Sequence, residues 1–174
     1  MNRYRVLIDY TIRANQVSLT QVRNFSQSEF EKELGGSFPS LKLTFRHLLE
    51  SDYLWLKRWQ GEPLSTIPSD WNTETAESLA AIWQPLQQAI QTYSNGISAN
   101  QLDEIVQFTT RTGKTFSLPL WQTISHVANH GTYHRGQITN MVRMLGHKPV
   151  NTDLFAFYNE QNQLEQTINP SQPS

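Results

Sequence analysis

Four of the five histidines in this chain fall in two stretches: His47 in one, and His126, His130 and His134 in the other. The last three recur at four-residue intervals. On an α-helix four residues advance about 6 Å along the axis and return to nearly the same face. His130 and His134 can therefore aim their rings at one ion, and so can His126 and His130. His126 and His134 lie about 12 Å apart, too far for easy sharing. An imidazole pair supplies two nitrogens at about 2.0 to 2.1 Å from a metal, and a third ligand must come from elsewhere. His47 shares a side of its helix with Leu43 and Leu54, so it can be that third ligand if the two helices are neighbours. Taken singly, a core histidine or a helical histidine pair is more often simply hydrogen-bonded. Recurrence at the right spacing, with a fourth ring facing inward on another helix, raises a metal site above that reading. His147, between Gly146 and Lys148, reads as a solvated helix cap. His126 reads as a buried neighbour of the site rather than a ligand.

The rest of the composition narrows the chemistry. There is no cysteine, which excludes disulfides, thiolate ligands and a cysteine nucleophile. Three neutral imidazoles leave a divalent ion its full charge, and three ligands leave room for water or substrate. Bound water is then acidified, or a bound thiol deprotonated. Any such thiol must arrive with a substrate. Arg135 follows His134 directly; its guanidinium could grip a carboxylate, or helical rotation by about 100° could turn it to the surface. Asp9, Glu50 and Asp52 lie near suitable regions for a general base, but nothing in their spacing forces them toward an ion. No phosphate-binding glycine loop or nucleophile elbow is present. Lys and Arg number 14 against 15 Asp and Glu, so the basic field that nucleic acid requires is missing. Apolar runs are far too short to span a membrane, and Met1 to Asp9 lacks the apolar core of a signal peptide. The chain reads as cytoplasmic.

These residues must be positioned by helices. Apolar residues recur at helical spacing from Arg3 to Phe25. After Gly35-Gly36, Ser37 reads as an N-cap with Pro39 in the first turn of a second helix running to Trp59. That helix carries apolar residues around much of its cylinder, more than one buried side requires. A third helix opens near Thr73 and ends at Asn95-Gly96, with Pro85 inside it as a kink or restart. Between Glu104 and Leu118 the period changes, and Val106, Phe108, Thr115 and Phe116 around Arg111-Thr-Gly-Lys114 predict a short β-hairpin. A fourth helix begins around Pro119 and ends at Gly146. Asp153 to Gln161 forms one more short helix. The expected architecture is all-α: a four-helix bundle with a β-hairpin insert before the fourth helix, in one domain over residues 1–168. Residues 169–174 read as a disordered tail.

The run His126-Val-Ala-Asn-His130-Gly-Thr-Tyr-His134-Arg-Gly-Gln137 resembles the signature of the DinB-like (damage-inducible) family. Arg13-Ala14-Asn15, Ser37-Phe-Pro-Ser40, His47-Leu-Leu, Trp55-Leu-Lys-Arg58 and Thr152-Asp153-Leu154 follow the family pattern in order, so the likeness spans Arg3 to Tyr158. The resemblance implies a four-helix bundle, often a homodimer, in which three histidines hold a divalent metal such as nickel, zinc or iron. Carried onto this chain, the ligands are His47, His130 and His134, a choice that spacing alone leaves open. Some members of the family are transferases or isomerases that use low-molecular-weight thiols, while many have no assigned activity. Two functional classes therefore stand side by side. One is a metal-dependent enzyme, a thiol S-transferase or a hydrolase, acting on a small molecule. The other is a non-catalytic metal-binding bundle serving a stress response or protein interaction.

Overall fold

The computed structural model describes residues 3–63, 66–110 and 112–168. The expected tail, 169–174, lies outside the described residues. Among the described residues, six α-helices and one hairpin follow each other. They are α1 (Arg3–Val22), α2 (Gln27–Glu31), α3 (Leu41–Trp59), α4 (Ala76–Gly96), β1 (Ile105–Thr109), β2 (Thr115–Pro119), α5 (Leu120–Met144) and α6 (Leu154–Ile168). A short 3₁₀ turn, Asn100–Asp103, precedes the hairpin. The strands pair antiparallel, with Phe108 opposite Phe116. The long helices α1, α3, α4 and α5 form the bundle, and α1 and α3 each pack against both α4 and α5. The helix that carries His47 is thus a direct neighbour of the helix that carries the other site histidines. Among the described residues, no helix is long and apolar enough to cross a membrane.

Several helix ends differ from the sequence expectation, each for a local reason. The first helix stops at Val22, because Ser26 and Glu29 form a capping box that starts the separate α2. The second begins at Leu41 rather than after Ser37. Gly35 and Gly36 both take positive φ, Pro39 disfavours helical backbone at Phe38, and the Ser40 side chain accepts the Leu43 N–H as N-cap. Phe38 is left free of the helix. The third begins at Ala76, where Thr75 and Ser78 cap each other. Pro85 neither ends nor restarts α4. It lies on the exposed face, opposite the exposed Ala81 whose carbonyl it leaves without a helical partner, and water can take that place. Pro119 ends β2 and caps α5 in extended conformation instead of occupying its first turn. The last helix runs on to Ile168.

The surplus of apolar surface on α3 is largely covered within the chain. Leu41, Phe45, Leu48 and Leu49 join Val22, Phe30, Leu79, Trp83 and Val142 in one cluster. Trp55, Leu56 and Trp59 join Ile8, Ile90, Phe108 and Ile124 in a second. Along every bundle helix a buried polar residue separates the two: Asn15, Asp52, Gln87 and Arg135. Arg135, 2% exposed, was expected near substrate or at the surface, and it is in neither place. Its Nη1 donates to Asn15 Oδ1 at 2.9 Å and its Nη2 to Thr132 Oγ1 at 3.1 Å, with the guanidinium 4.9 Å from the centre of the Tyr10 ring. Asn15 Nδ2 in turn donates to Asp52 Oδ2, which also accepts the Trp83 indole N–H at 2.8 Å. The guanidinium lies over Gly131, where a Cβ would stand 2.6 Å from Nη1.

Burial pushes the Asp52 carboxyl up to about 6, against the opposing pull of Trp83, Arg135 and Asn15. A folded-state pKa above the unfolded one means that the contribution of this group is fully present below about pH 4 and is lost as pH rises through about 6. Asp52→Asn, which resembles the neutral acid, removes that loss. Urea unfolding should show the variant gaining on the wild type by on the order of 2 kcal/mol between about pH 4.5 and about pH 7.5. A stability difference that stays constant across this range would show that Asp52 carries no such burden.

Candidate metal centre

His130 and His134 lie one turn apart on α5, and His47 faces them from α3. Their ring centroids are 4.5 to 5.0 Å apart. His47 Nε2 and His130 Nε2 approach to 3.0 Å, and one nitrogen from each of the three rings lies within 4.8 Å of the others. Two nitrogens 3.0 Å apart, each about 2.1 Å from a common ion, subtend about 90°. Neighbouring ligands in tetrahedral or octahedral shells stand about 3.0 to 3.4 Å apart, so a separation within 4.8 Å has to close by at most about 1.8 Å. Rotation of an imidazole about its side-chain torsions covers that distance. The donor set and its spacing suit a divalent metal. Among the described residues no carboxylate belongs to the cluster.

The surroundings hold these rings in place and keep those of His130 and His134 neutral. Gln137 Oε1 lies 2.7 Å from His134 Nδ1. A carbonyl oxygen can only accept, so Nδ1 carries the proton and Nε2 keeps its lone pair for a metal. Phe38, released from α3 by the Pro39 restriction, stacks on His47 at 4.1 Å and meets His134 edge-on. Burial, with repulsion from His134, His47 and His126, pushes His130 down to about 3. Burial lowers His134 as well, partly opposed by Gln137. Neutral imidazole is the form that binds metal, so the protein holds these two rings ready at pH values where a free histidine is protonated.

The other candidates separate cleanly. His126 is exposed rather than buried; its ring lies 5.8 Å from that of His130 and 5.2 Å from Trp55, and it is outside the cluster. Helical repeat carries it up the face of α5, while His47 sits opposite the lower pair. His147 is more than a solvated cap: it stacks on Phe25 at 4.1 Å and bonds Glu29 Oε1 at 2.8 Å, tying the end of α5 to α2. Asp9 is engaged by Gln91, and Asp52 lies in the core beneath Trp83. Glu50 alone of the three carboxylates lines the same groove as His47, where Arg46 Nε donates to it at 2.8 Å. Leu43 and Leu54, taken from sequence as core neighbours of His47, form walls of that groove. Gln137 closes the sequence motif, and its place three residues after His134 was a local signal for the role it takes.

The profile of the DinB family matches residues 1–167. Among curated relatives, Protein DinB of Bacillus subtilis (strain 168) is 25% identical over 154 residues, covering 84% of this chain and 88% of that protein.

The purified protein should bind about one divalent metal per chain, and His134→Ala should lose most of it. Gln137→Leu keeps all three ligands but frees the His134 ring to turn, so affinity should fall roughly tenfold to a hundredfold. His147→Ala should leave affinity unchanged. Competition against a chromophoric chelator reads all four proteins, and equal affinity in wild type and Gln137→Leu would remove Gln137 from the site.

Proposed function

The chain belongs to the DinB family, and on that footing we propose that it is a metal-dependent enzyme that joins the sulfur of a low-molecular-weight thiol to an electrophilic small molecule. The observation that carries this reading is the gathering of three imidazoles, one of which, His47, lines an open groove, with no carboxylate in the cluster among the described residues. His47, His130 and His134 would hold the ion, of the nickel, zinc or iron class, without neutralising it. Bound there, a divalent ion supplies Lewis acidity that makes a thiol or water acidic at neutral pH. The chain contributes no cysteine, so the nucleophilic sulfur comes with a substrate. Gln137 fixes the ring of His134, and Phe38 covers one face of His47 against water. As the sulfur–carbon bond forms, the thiol's proton passes to solvent and the bond from that carbon to its leaving group breaks, the leaving group departing with the electron pair.

A non-catalytic metal-binding bundle, serving a stress response or an interaction, is the second reading. It is favoured by the carboxylates, since Asp9 and Asp52 point elsewhere and Glu50 is tied to Arg46. Electrophile panels assayed with several cellular thiols, with and without chelator, separate the possibilities. Turnover should need both metal and thiol, and should fall at least about a hundredfold in His130→Ala, on the scale of losing an ordering ligand. Thiol-independent turnover would make the protein a hydrolase, and no turnover across the panel would leave the binding bundle.

The homodimer implied by the resemblance is also proposed. Phe155, Tyr158 and Leu164 on α6 are exposed and offer apolar surface for a second copy. Sedimentation at micromolar concentration should give twice the chain mass; a single 20.1 kDa species would contradict it.

A further inference from the structure

Phe38 reaches the histidine cluster from outside the helices, and its backbone is pinned on both sides. Its carbonyl accepts the Thr44 hydroxyl at 3.3 Å, and the carbonyl of Pro39 accepts the Leu34 N–H at 2.6 Å. Thr44 is fully buried, and Leu34 packs against the cluster that holds Val22 and Phe30. Pro39 fixes its own φ and stiffens the link into α3. The ring therefore has a set place, although it belongs to a connecting segment.

That place is against two of the three imidazoles. Phe38 lies nearly parallel to His47, with centroids 4.1 Å apart and planes 19° apart, and meets His134 edge-on at 5.6 Å. The two imidazoles are themselves only 4.6 Å apart, so Phe38 stands beside the point on which they converge. His47 and His130 are already 3.0 Å apart at Nε2, the spacing of neighbouring ligands. Filling the site thus asks little movement of the ring that Phe38 covers.

Three imidazoles leave a tetrahedral ion one further position and an octahedral ion three. A ligand atom on the Phe38 side of His47 would rise about 2.1 Å from the imidazole plane and need about 3.3 Å of clearance to a carbon. Together these ask for about 5.4 Å of room. The stacked ring stands at 4.1 Å.

We propose that Phe38 sets the coordination number of the metal: it fills one of the three positions that an octahedral ion would present beyond the imidazoles, so the centre takes at most five ligands and favours zinc over nickel. This rests on the reading of His47, His130 and His134 as a metal centre, not on the thiol chemistry. Zinc has a filled d shell and no geometric preference of its own to lose. Nickel favours shells of defined geometry and is weakened when a position is withheld.

Cobalt(II) reports its own coordination, because six-coordinate ions absorb visible light weakly and ions with four or five ligands absorb it far more strongly. The full-length chain, stripped with chelator and loaded with cobalt, should show the strong spectrum. Phe38→Ala, outside the helices, should still bind cobalt, with visible absorption per bound ion lower by at least about threefold. Chelator competition should show its preference for zinc over nickel reduced roughly tenfold. Phe25→Ala removes the matching stack on His147, 4.1 Å apart at the end of α5, and should change neither reading. A six-coordinate spectrum in the wild type would overturn the proposal and leave the metal centre standing, whether or not the variant folds. So would a Phe38→Ala protein that loses affinity for zinc and nickel alike with its cobalt spectrum unchanged, since Phe38 would then only brace His47. A wild type that takes up no cobalt, zinc or nickel would sink the metal centre itself, and the proposal with it.

Discussion

A buried guanidinium tolerates few orientations, because each of its N–H groups must find an acceptor and its charge must find an opposite one. Arg135 meets most of that demand with Asn15 from α1, Thr132 from its own helix, the face of Tyr10, and the Asp52 carboxylate beyond Asn15, while its Nε stays buried without an acceptor among the described residues. These partners fix how far α5 is turned about its axis. Successive helical residues differ by about 100°, so the rotation that points Arg135 at α1 points His134 toward α3. The neighbouring turn brings His130 to the same side. Removing the clamp while leaving the charge would cost several kcal/mol, which is the restoring force that holds the histidine face where it is.

The same layer explains where the site can exist. The bundle has one apolar cluster toward each end, and between them every bundle helix carries a buried polar side chain. Polar groups in a core need partners, and here they find one another across helices: Asn15 with Arg135 and Asp52, and Gln87 with Gln16. The histidines stand at this same level, on the face of α5 turned toward α3 rather than the one turned toward α1. The buried polar layer and the histidine cluster thus share one stretch of α5, with an apolar cluster on either side of it.

What could be read from sequence follows the range of the interactions. Helical periodicity and the hairpin are local patterns, and the four long helices, the hairpin and the β1–β2 pairing stand where those patterns place them. Helix starts moved by a few residues because capping depends on which hydroxyl wins: Ser40 over Ser37, and Thr75 over Thr73. The spacing of His126, His130 and His134 allowed two pairs, since spacing on one helix cannot say what lies opposite. The family resemblance chose the lower pair, and the packing of α3 on α5 shows why: His47 faces it. Arg135 was misplaced for the same reason. A charged residue is expected in water unless its partners are known, and those partners are 83 and 120 positions away in Asp52 and Asn15. Phe38 entered the site through a backbone restriction at Pro39, a cue visible in sequence but silent about direction.

Gly131 has no conformational reason to be a glycine, since it sits in the middle of a regular helix, where glycine is the poorer choice by about 1 kcal/mol relative to alanine. Its reason is the room that Arg135 takes up over it, 2.6 Å from where a methyl carbon would stand. The two positions therefore make one spatial unit: a missing side chain and an oversized one, four residues apart on the same helix face. In a chain descended from the same ancestor, a larger residue at the first position would push the guanidinium off its partners or call for a shorter residue at the second. That replacement would leave Asn15 and Asp52 to find another partner. Pairwise drift at these positions, rather than independent change, is the mark this packing would leave on a lineage.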